Sequence, residues 1–95
     1  MKKIQIKVTN EVGLHARPAS VFVQAAKQFK SQISIRNVTK NTDSSDAKSI
    51  LSVLVLGIEK NHQVEIVVDG DDEDTAISTL HTLIGSDFQQ IKSDE

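Results

Sequence analysis

The spacing of apolar residues alternates between two regular periods along this chain, and that alternation limits its fold more than any other feature. In three segments every second residue is apolar, which is the pattern of a strand buried on one face. These segments carry Ile4, Ile6 and Val8, then Ile33 and Ile35, and finally Val64, Ile66 and Val68. The polar stretch from Asn37 to Asp46 predicts a turn followed by a short, weak edge strand.

Three other segments have the spacing of helices. The segment from Ala16 to about Lys30 has a helical apolar stripe made of Phe22, Ala25, Ala26 and Phe29. A short helix is predicted after Ser49, which would be its N-cap, and Gly57 stands where it would stop. The last helix should begin in the acidic run 71–74, whose charges complement the helix dipole. Its predicted buried stripe is Ala76, Ile77, Leu80, Leu83 and Ile84.

The predicted order of elements is β-α-β-β-α-β-α, in one domain covering residues 1–95 with a polar, frayed tail from about Ser86. Each strand has one apolar face that helices must cover, which predicts an α+β open-faced sandwich. The chain has no cysteine, so disulfides, thiolate metal sites and cysteine nucleophiles are excluded. The fold must be held by packing, which fits a reducing compartment such as the cytoplasm.

Charge and aromatic content narrow the class of partner. The formal net charge is −2 and the three aromatic residues are all Phe, which argues against nucleic-acid binding and against an RNA-binding α+β domain. No apolar stretch approaches the roughly 20 residues of a membrane span, and the N-terminal residues alternate instead of forming a secretory signal. We therefore expect a soluble, cytoplasmic chain whose partners are proteins or small molecules.

The segment most informative about chemistry is Gly13-Leu14-His15-Ala16-Arg17-Pro18-Ala19. It places His15 where a loop meets the start of a helix, and Pro18 in the first turn, where its missing N–H costs no intrahelical bond. The first N–H groups of a helix lack intrahelical partners and suit phosphate, and Arg17 can add charge-assisted hydrogen bonds. The same residues also fit a histidine that merely caps the helix and an arginine that is a solvated surface charge.

This segment resembles the active-site signature of the HPr family, the histidine phosphocarriers of the phosphoenolpyruvate-dependent phosphotransferase system. A second block, from Lys48 to Ile58, resembles the family's segment around its regulatory serine, and the similarity runs from Ile4 to about Ile84. The resemblance implies a four-stranded antiparallel sheet covered on one face by helices. It also implies that His15 is phosphorylated on Nδ1 by enzyme I and donates the phosphoryl group to enzyme II components, the enzyme IIA-type acceptors.

For the remaining site residues, the resemblance implies that Arg17 contacts the phosphate and that Pro18 completes the active-site motif. The protein would be a phosphoryl carrier instead of an enzyme that turns over a small substrate. It would need no metal and no cofactor besides the phosphoryl group that phosphoenolpyruvate supplies through enzyme I. We expect a monomer.

Ser49 falls at the serine that an ATP-dependent kinase phosphorylates in many Gram-positive relatives. A phosphate there would add about two negative charges beside the docking surface and could repel an acidic face of enzyme I. The alternative function is a regulatory module acting through phospho-Ser49, with a serine kinase/phosphorylase and a transcription regulator as partners. Ser49 could equally serve only as a helix cap. Two departures from the family pattern argue against recognition of Ser49 by such a kinase. The loop at 38–46 is longer than usual, and Ser52 stands where many relatives have glycine.

A docking surface beside His15 follows from helical geometry. Positions three and four apart extend the Arg17 side of the first helix. The short second helix cannot bury every side, so part of its apolar residues should be exposed, although each of them could instead belong to the core. The predicted docking residues are Ser20, Gln24, Lys27, Lys48, Ile50, Leu51 and Leu54.

Two further features predict no chemistry. His62 and His81 lack supporting neighbours in the sequence and are predicted to be ordinary surface or boundary residues. The acidic residues between Asp69 and Asp74 lack the spacing of an EF-hand loop, and helix capping explains them better.

Overall fold

The alternating segments form strands and the others form helices, in the predicted order, across residues 1–88, which the computed structural model describes. The strands are β1 (Lys2–Lys7), β2 (Gln32–Asn37), β3 (Ser45–Asp46) and β4 (Gln63–Asp69). The helices are α1 (Ala16–Lys27), α2 (Ile50–Leu54) and α3 (Glu73–Gly85). None of the helices within these residues is long and apolar enough to cross a membrane.

The four strands form one sheet in the order β1-β4-β2-β3, and every neighbouring pair is antiparallel. Ile66 on the central strand β4 pairs with Ile4 on β1 and with Ile35 on β2. This register places apolar side chains in rows on one face. On the opposite, polar face, Arg36 Nε donates to Glu65 Oε1 at 2.9 Å. The predicted antiparallel sheet with one apolar face is confirmed.

The helices cover the apolar face of the sheet and form the core with it. The α1 residues that are buried there are Ala19, Phe22, Val23 and Ala26, and those of α3 are Ala76, Leu80, Leu83 and Ile84. In the short α2 only Val53 is buried. The predicted α+β open-faced sandwich is therefore confirmed, and α2 is the helix with the largest share of uncovered apolar side chains.

One helix end differs from the prediction. Helix α1 ends at Lys27 instead of about Lys30, because the chain tightens into a turn there to enter β2. Helix α3 begins at Glu73, within the predicted acidic run, but its N-cap Asp72 makes no capping bond. The Asp72 carboxylate instead accepts hydrogen bonds from the hydroxyl and N–H of Ser31 and from the N–H of Lys30, and these bonds lower its pKa. Asp72 thus ties the start of α3 to the α1–β2 turn.

The frayed tail predicted from about Ser86 is wrong for its first three residues. Phe88 is only 6% exposed and packs into the core, because a turn after α3 folds its side chain back, with its N–H donating to the Leu83 carbonyl at 2.8 Å. Thr9 Oγ1 donates to Asp87 Oδ1 at 2.6 Å and ties this turn to the loop that follows β1. The rest of the predicted tail, residues 89–95, lies outside the described residues.

Candidate functional site

His15 occupies the N-cap of α1 in extended backbone conformation, with φ −128° and ψ 164°. Its half-exposed side chain makes no capping hydrogen bond. The interpretation of His15 as an ordinary helix cap is therefore wrong. The imidazole is left available for chemistry at the point where the loop becomes a helix.

The first backbone donors of α1 have no partner among the described residues. The N–H groups of His15, Ala16 and Arg17 make no hydrogen bond there, and Pro18 has no N–H to offer. No acidic residue lies in the first turn of this helix. Three donors and the positive end of the dipole thus remain for an anion, and phosphate is the anion that such helix starts commonly bind.

The backbone of Ala16 is strained at this site. Its φ is +53°, in the left-handed region that residues other than glycine avoid at a cost of about 1–2 kcal/mol. Strain of this kind persists only where neighbouring contacts fix the chain on both sides. Here α1 begins on one side and a tightly held loop precedes it on the other.

That loop, residues 9–14, is held by the segment before β4. We call residues 58–62 the support turn. Leu14 is fully buried and its N–H donates to the Ile58 carbonyl at 3.0 Å. Gly13 has φ +65°, and a Cβ there would collide with the Ile58 carbonyl oxygen and lie 2.6 Å from Glu59 Cα. Asn10 Nδ2 donates to the Gly13 carbonyl at 2.8 Å, which closes the loop from inside.

Arg17 is exposed and takes part in no ion pair among residues 1–88. A guanidinium that no carboxylate holds can turn toward an anion at the helix start and bind it through two parallel N–H groups. The structure therefore permits the phosphate contact predicted for Arg17, which stays a prediction. Pro18 lies in the first turn of α1, as predicted.

The docking residues predicted on α1 and at the start of α2 come together around one hollow of about 180 Å³ between these helices. It is lined by Ser20, Val23, Gln24, Lys27, Lys48 and Ile50. Lys48 does not extend freely into solvent, because its Nζ donates to the Phe29 carbonyl at 2.7 Å. Leu51 and Leu54 are not part of this lining.

Helix α2 exposes much of its apolar surface. Leu51 is 71% exposed, Ile50 39%, and Leu54 is half-buried, so the expectation that part of this set reaches solvent is confirmed. Sequence reasoning missed Val55, which is 77% exposed, and Val12, which is 50% exposed in the loop before His15. Val55 follows Leu51 by four positions, so helical spacing alone could have found it.

Ser49 is the N-cap of α2, as predicted, and its Oγ accepts a hydrogen bond from the Ser52 N–H at 3.3 Å. The hydroxyl therefore has a structural role in the unmodified chain. Helix α2 ends at Leu54, and Gly57, with φ +60°, lies in the turn that follows. Phosphorylation of Ser49 stays a prediction.

Comparisons with known proteins agree with this geometry. The family model described as the PTS HPr component phosphorylation site matches residues 2–86. The phosphocarrier protein HPr of Mycoplasma pneumoniae is 37% identical over 84 residues, covering 88% of this chain and 93% of its own.

Two solved structures extend the comparison. HPr from Thermoanaerobacter tengcongensis superposes with a TM-score of 0.87 at 43% identity, over 93% of this chain and 96% of its own. Crh, the catabolite repression protein of Bacillus subtilis, gives a TM-score of 0.69 at 30% identity, over 92% and 97%. With sequence, fold and family model in agreement, the chain belongs to the HPr family, the phosphocarrier proteins of the phosphotransferase system.

Proposed function

We propose that this chain accepts a phosphoryl group on His15 Nδ1 from phosphorylated enzyme I and donates it to enzyme II components. The observation that carries the proposal is the unusual start of α1. A histidine stands at the N-cap without capping, beside three backbone N–H groups that have no partner among the described residues.

The residues of this chain suit a reversible transfer. The unprotonated His15 nitrogen attacks phosphorus, the N–P bond forms, and the bond from phosphorus to the donor breaks. The N–H groups of Ala16 and Arg17 and the Arg17 guanidinium then stabilise the added charge. Because these groups lie at the surface, they stabilise the phosphoryl group without enclosing it, and the next acceptor can reach it.

The surface near His15 supports protein partners for this transfer. Enzyme I and enzyme IIA-type acceptors would dock on the hollow between α1 and α2 and on the exposed apolar residues Val12, Leu51 and Val55. Phosphoenolpyruvate would be the original source of the phosphoryl group, and the cytoplasm the compartment. Apolar groups close to a reactive residue suit brief, repeated docking.

The test is intact-mass measurement after incubation with phosphoenolpyruvate and an enzyme I of proven activity. We expect one acid-labile phosphoryl adduct on the wild type and on His81→Ala, which removes an exposed histidine far along the chain on α3. His15→Ala should carry none. An unmodified wild type, or an adduct that survives in His15→Ala, would refute the proposal.

A regulatory role through Ser49 is the second candidate, favoured by the similarity to Crh. Incubation with ATP and a serine kinase that modifies HPr proteins should then give an acid-stable adduct on the wild type and on His15→Ala. Ser49→Ala should lack it. Because the two adducts differ in acid stability, one chain can be tested for both functions in the same experiment.

A further inference from the structure

His62, predicted to be an ordinary surface or boundary residue, has a half-buried side chain that closes the support turn. The turn runs from Glu59 to His62, with the His62 N–H donating to the Glu59 carbonyl at 3.0 Å. The ring then reaches back, and its Nδ1 lies 3.1 Å from the Glu59 nitrogen, which donates to it. A backbone N–H can only donate, so Nδ1 carries no proton and the ring proton is on Nε2.

A second donor reaches the same nitrogen. Asn37, fully buried at the end of β2, places Nδ2 at 3.1 Å from His62 Nδ1 and at 3.1 Å from the Leu56 carbonyl oxygen. The orientation of the amide is fixed, because its Oδ1 accepts from the Lys40 N–H at 3.2 Å. His62 Nδ1 is thus the shared acceptor that joins β2 to the support turn.

The support turn in turn carries both ends of the loop that leads to His15. At the start of that loop, Val8 exchanges backbone hydrogen bonds with Asn61 and His62, at 2.6 and 2.9 Å. At its end, Leu14 and Gly13 rest on Ile58. A displaced support turn would move the residue next to His15 directly.

We propose that His62 is a positioning residue for His15, acting through the support turn and Leu14. Its unprotonated Nδ1 accepts from Glu59 and Asn37, and the Ile58 carbonyl, which shares a peptide group with the Glu59 N–H, accepts from Leu14. The consequence for phosphoryl transfer rests on the proposed function, whereas the positioning itself does not.

The first experiment measures amide hydrogen exchange by NMR in the wild type and three variants. In His62→Ala, the amides of Glu59 and Leu14 should exchange about tenfold faster or more. The Glu59 N–H and the Asn37 side chain lose their acceptor, and the support turn that holds Leu14 is loosened. In His62→Asn, the side-chain oxygen on Cγ replaces Nδ1, and exchange should return to within about threefold of the wild type. His81→Ala, the matched control, should change neither amide.

The outcomes separate positioning from general stability. Amides of the central strand β4 report opening of the whole sheet. If they accelerate as much as Leu14 in His62→Ala, or if Asn at position 62 fails to restore Leu14, the proposal is overturned. It is also overturned if nitrogen-15 spectra place the proton of the neutral His62 ring on Nδ1.

The second experiment measures the rate of His15 phosphorylation by enzyme I. We expect His62→Ala to be slowed about tenfold at saturating enzyme I, and His62→Asn to recover most of the rate. An unchanged rate in His62→Ala would overturn the catalytic consequence. If the wild type accepts no phosphoryl group at all, the proposed function fails, while the exchange results still decide whether His62 positions the loop.

Discussion

The starts of α1 and α3 differ in whether acidic side chains compensate the positive end of the helix. At α3, Glu73 and Asp74 lie in the first turn, Glu73 accepts from the Gly70 N–H at 3.2 Å, and Asp72 holds the neighbouring turn. At α1 the first turn holds no acidic residue, and the first N–H groups have no partner among residues 1–88. At α3 the Glu73 N–H donates to the Gly70 carbonyl at 3.2 Å, and the two carboxylates of the first turn complement the positive helix end from within the chain. The positive potential at the start of α1 is not compensated by the chain's own first turn and can attract an external anion.

The largest expected effect comes from disturbing the loop beneath the α1 start. Gly13→Ala should lower the free energy of unfolding by about 3 kcal/mol, because a left-handed φ and a collision with the support turn act together. Gly85→Ala is the matched control, since a Cβ there meets nothing within 4 Å. It should raise stability by about 0.5 kcal/mol. Urea unfolding measures both, and equal effects would contradict the support assigned to the loop.

The second prediction concerns Asp72, the N-cap of α3. Asp72→Ala should destabilise the fold, because Ser31 and Lys30 lose their acceptor, whereas the exposed Asp71→Ala should not. The hydrogen bonds hold the folded-state pKa of Asp72 below its ordinary value of 3.8. The stabilisation is therefore complete above that value and is lost as the pH falls through the lowered pKa. Urea unfolding should show the difference between wild type and Asp72→Ala shrinking in acid, and a constant difference would refute this cause.

A third prediction concerns the start of α2, where a side chain caps the helix. Ser49→Ala removes the one side-chain cap that α2 has and should cost about 1 kcal/mol of unfolding free energy. Ser78→Ala, at an exposed position on α3, should stay within about 0.5 kcal/mol of the wild type. Thermal unfolding of the two variants side by side decides whether Ser49 is structural in its unmodified form.

The smallest expected effect is a gain in stability instead of a loss. His15→Ser should raise the unfolding free energy by about 0.5–1 kcal/mol, because serine at the N-cap can accept from the Arg17 N–H. Only that donor is available, since Pro18 at the next position has none. The same variant should accept no acid-labile phosphoryl group. A loss of stability would mean that His15 contributes to the fold, and the contrast between α1 and α3 would weaken.

The sequence predicted what depends on local periodicity. Alternation at Ile4 and Ile66 and helical spacing around Phe22 are short-range signals, and the strands and helices that they mark are present. The position of His15 at a helix start was predictable for the same reason. What was missed depends on partners distant in the chain, as in the contact of His62 with Asn37 and the bonds of Asp72 to Ser31. Spacing cannot show such contacts, because they exist only once the sheet has brought the segments together.

The hydrogen bond from the Leu14 N–H to the Ile58 carbonyl also determines at what stage of synthesis the backbone around His15 can adopt its folded geometry. His15 leaves the ribosome before Ile58, whose carbonyl fixes the neighbouring Leu14 and which lies just before β4, the strand that pairs with both β1 and β2. A nascent chain ending before β4 carries the histidine but lacks the geometry around it. The reactivity proposed for His15 would in this sense belong to the folded chain, and a nascent chain without β4 would not compete for phosphoryl groups.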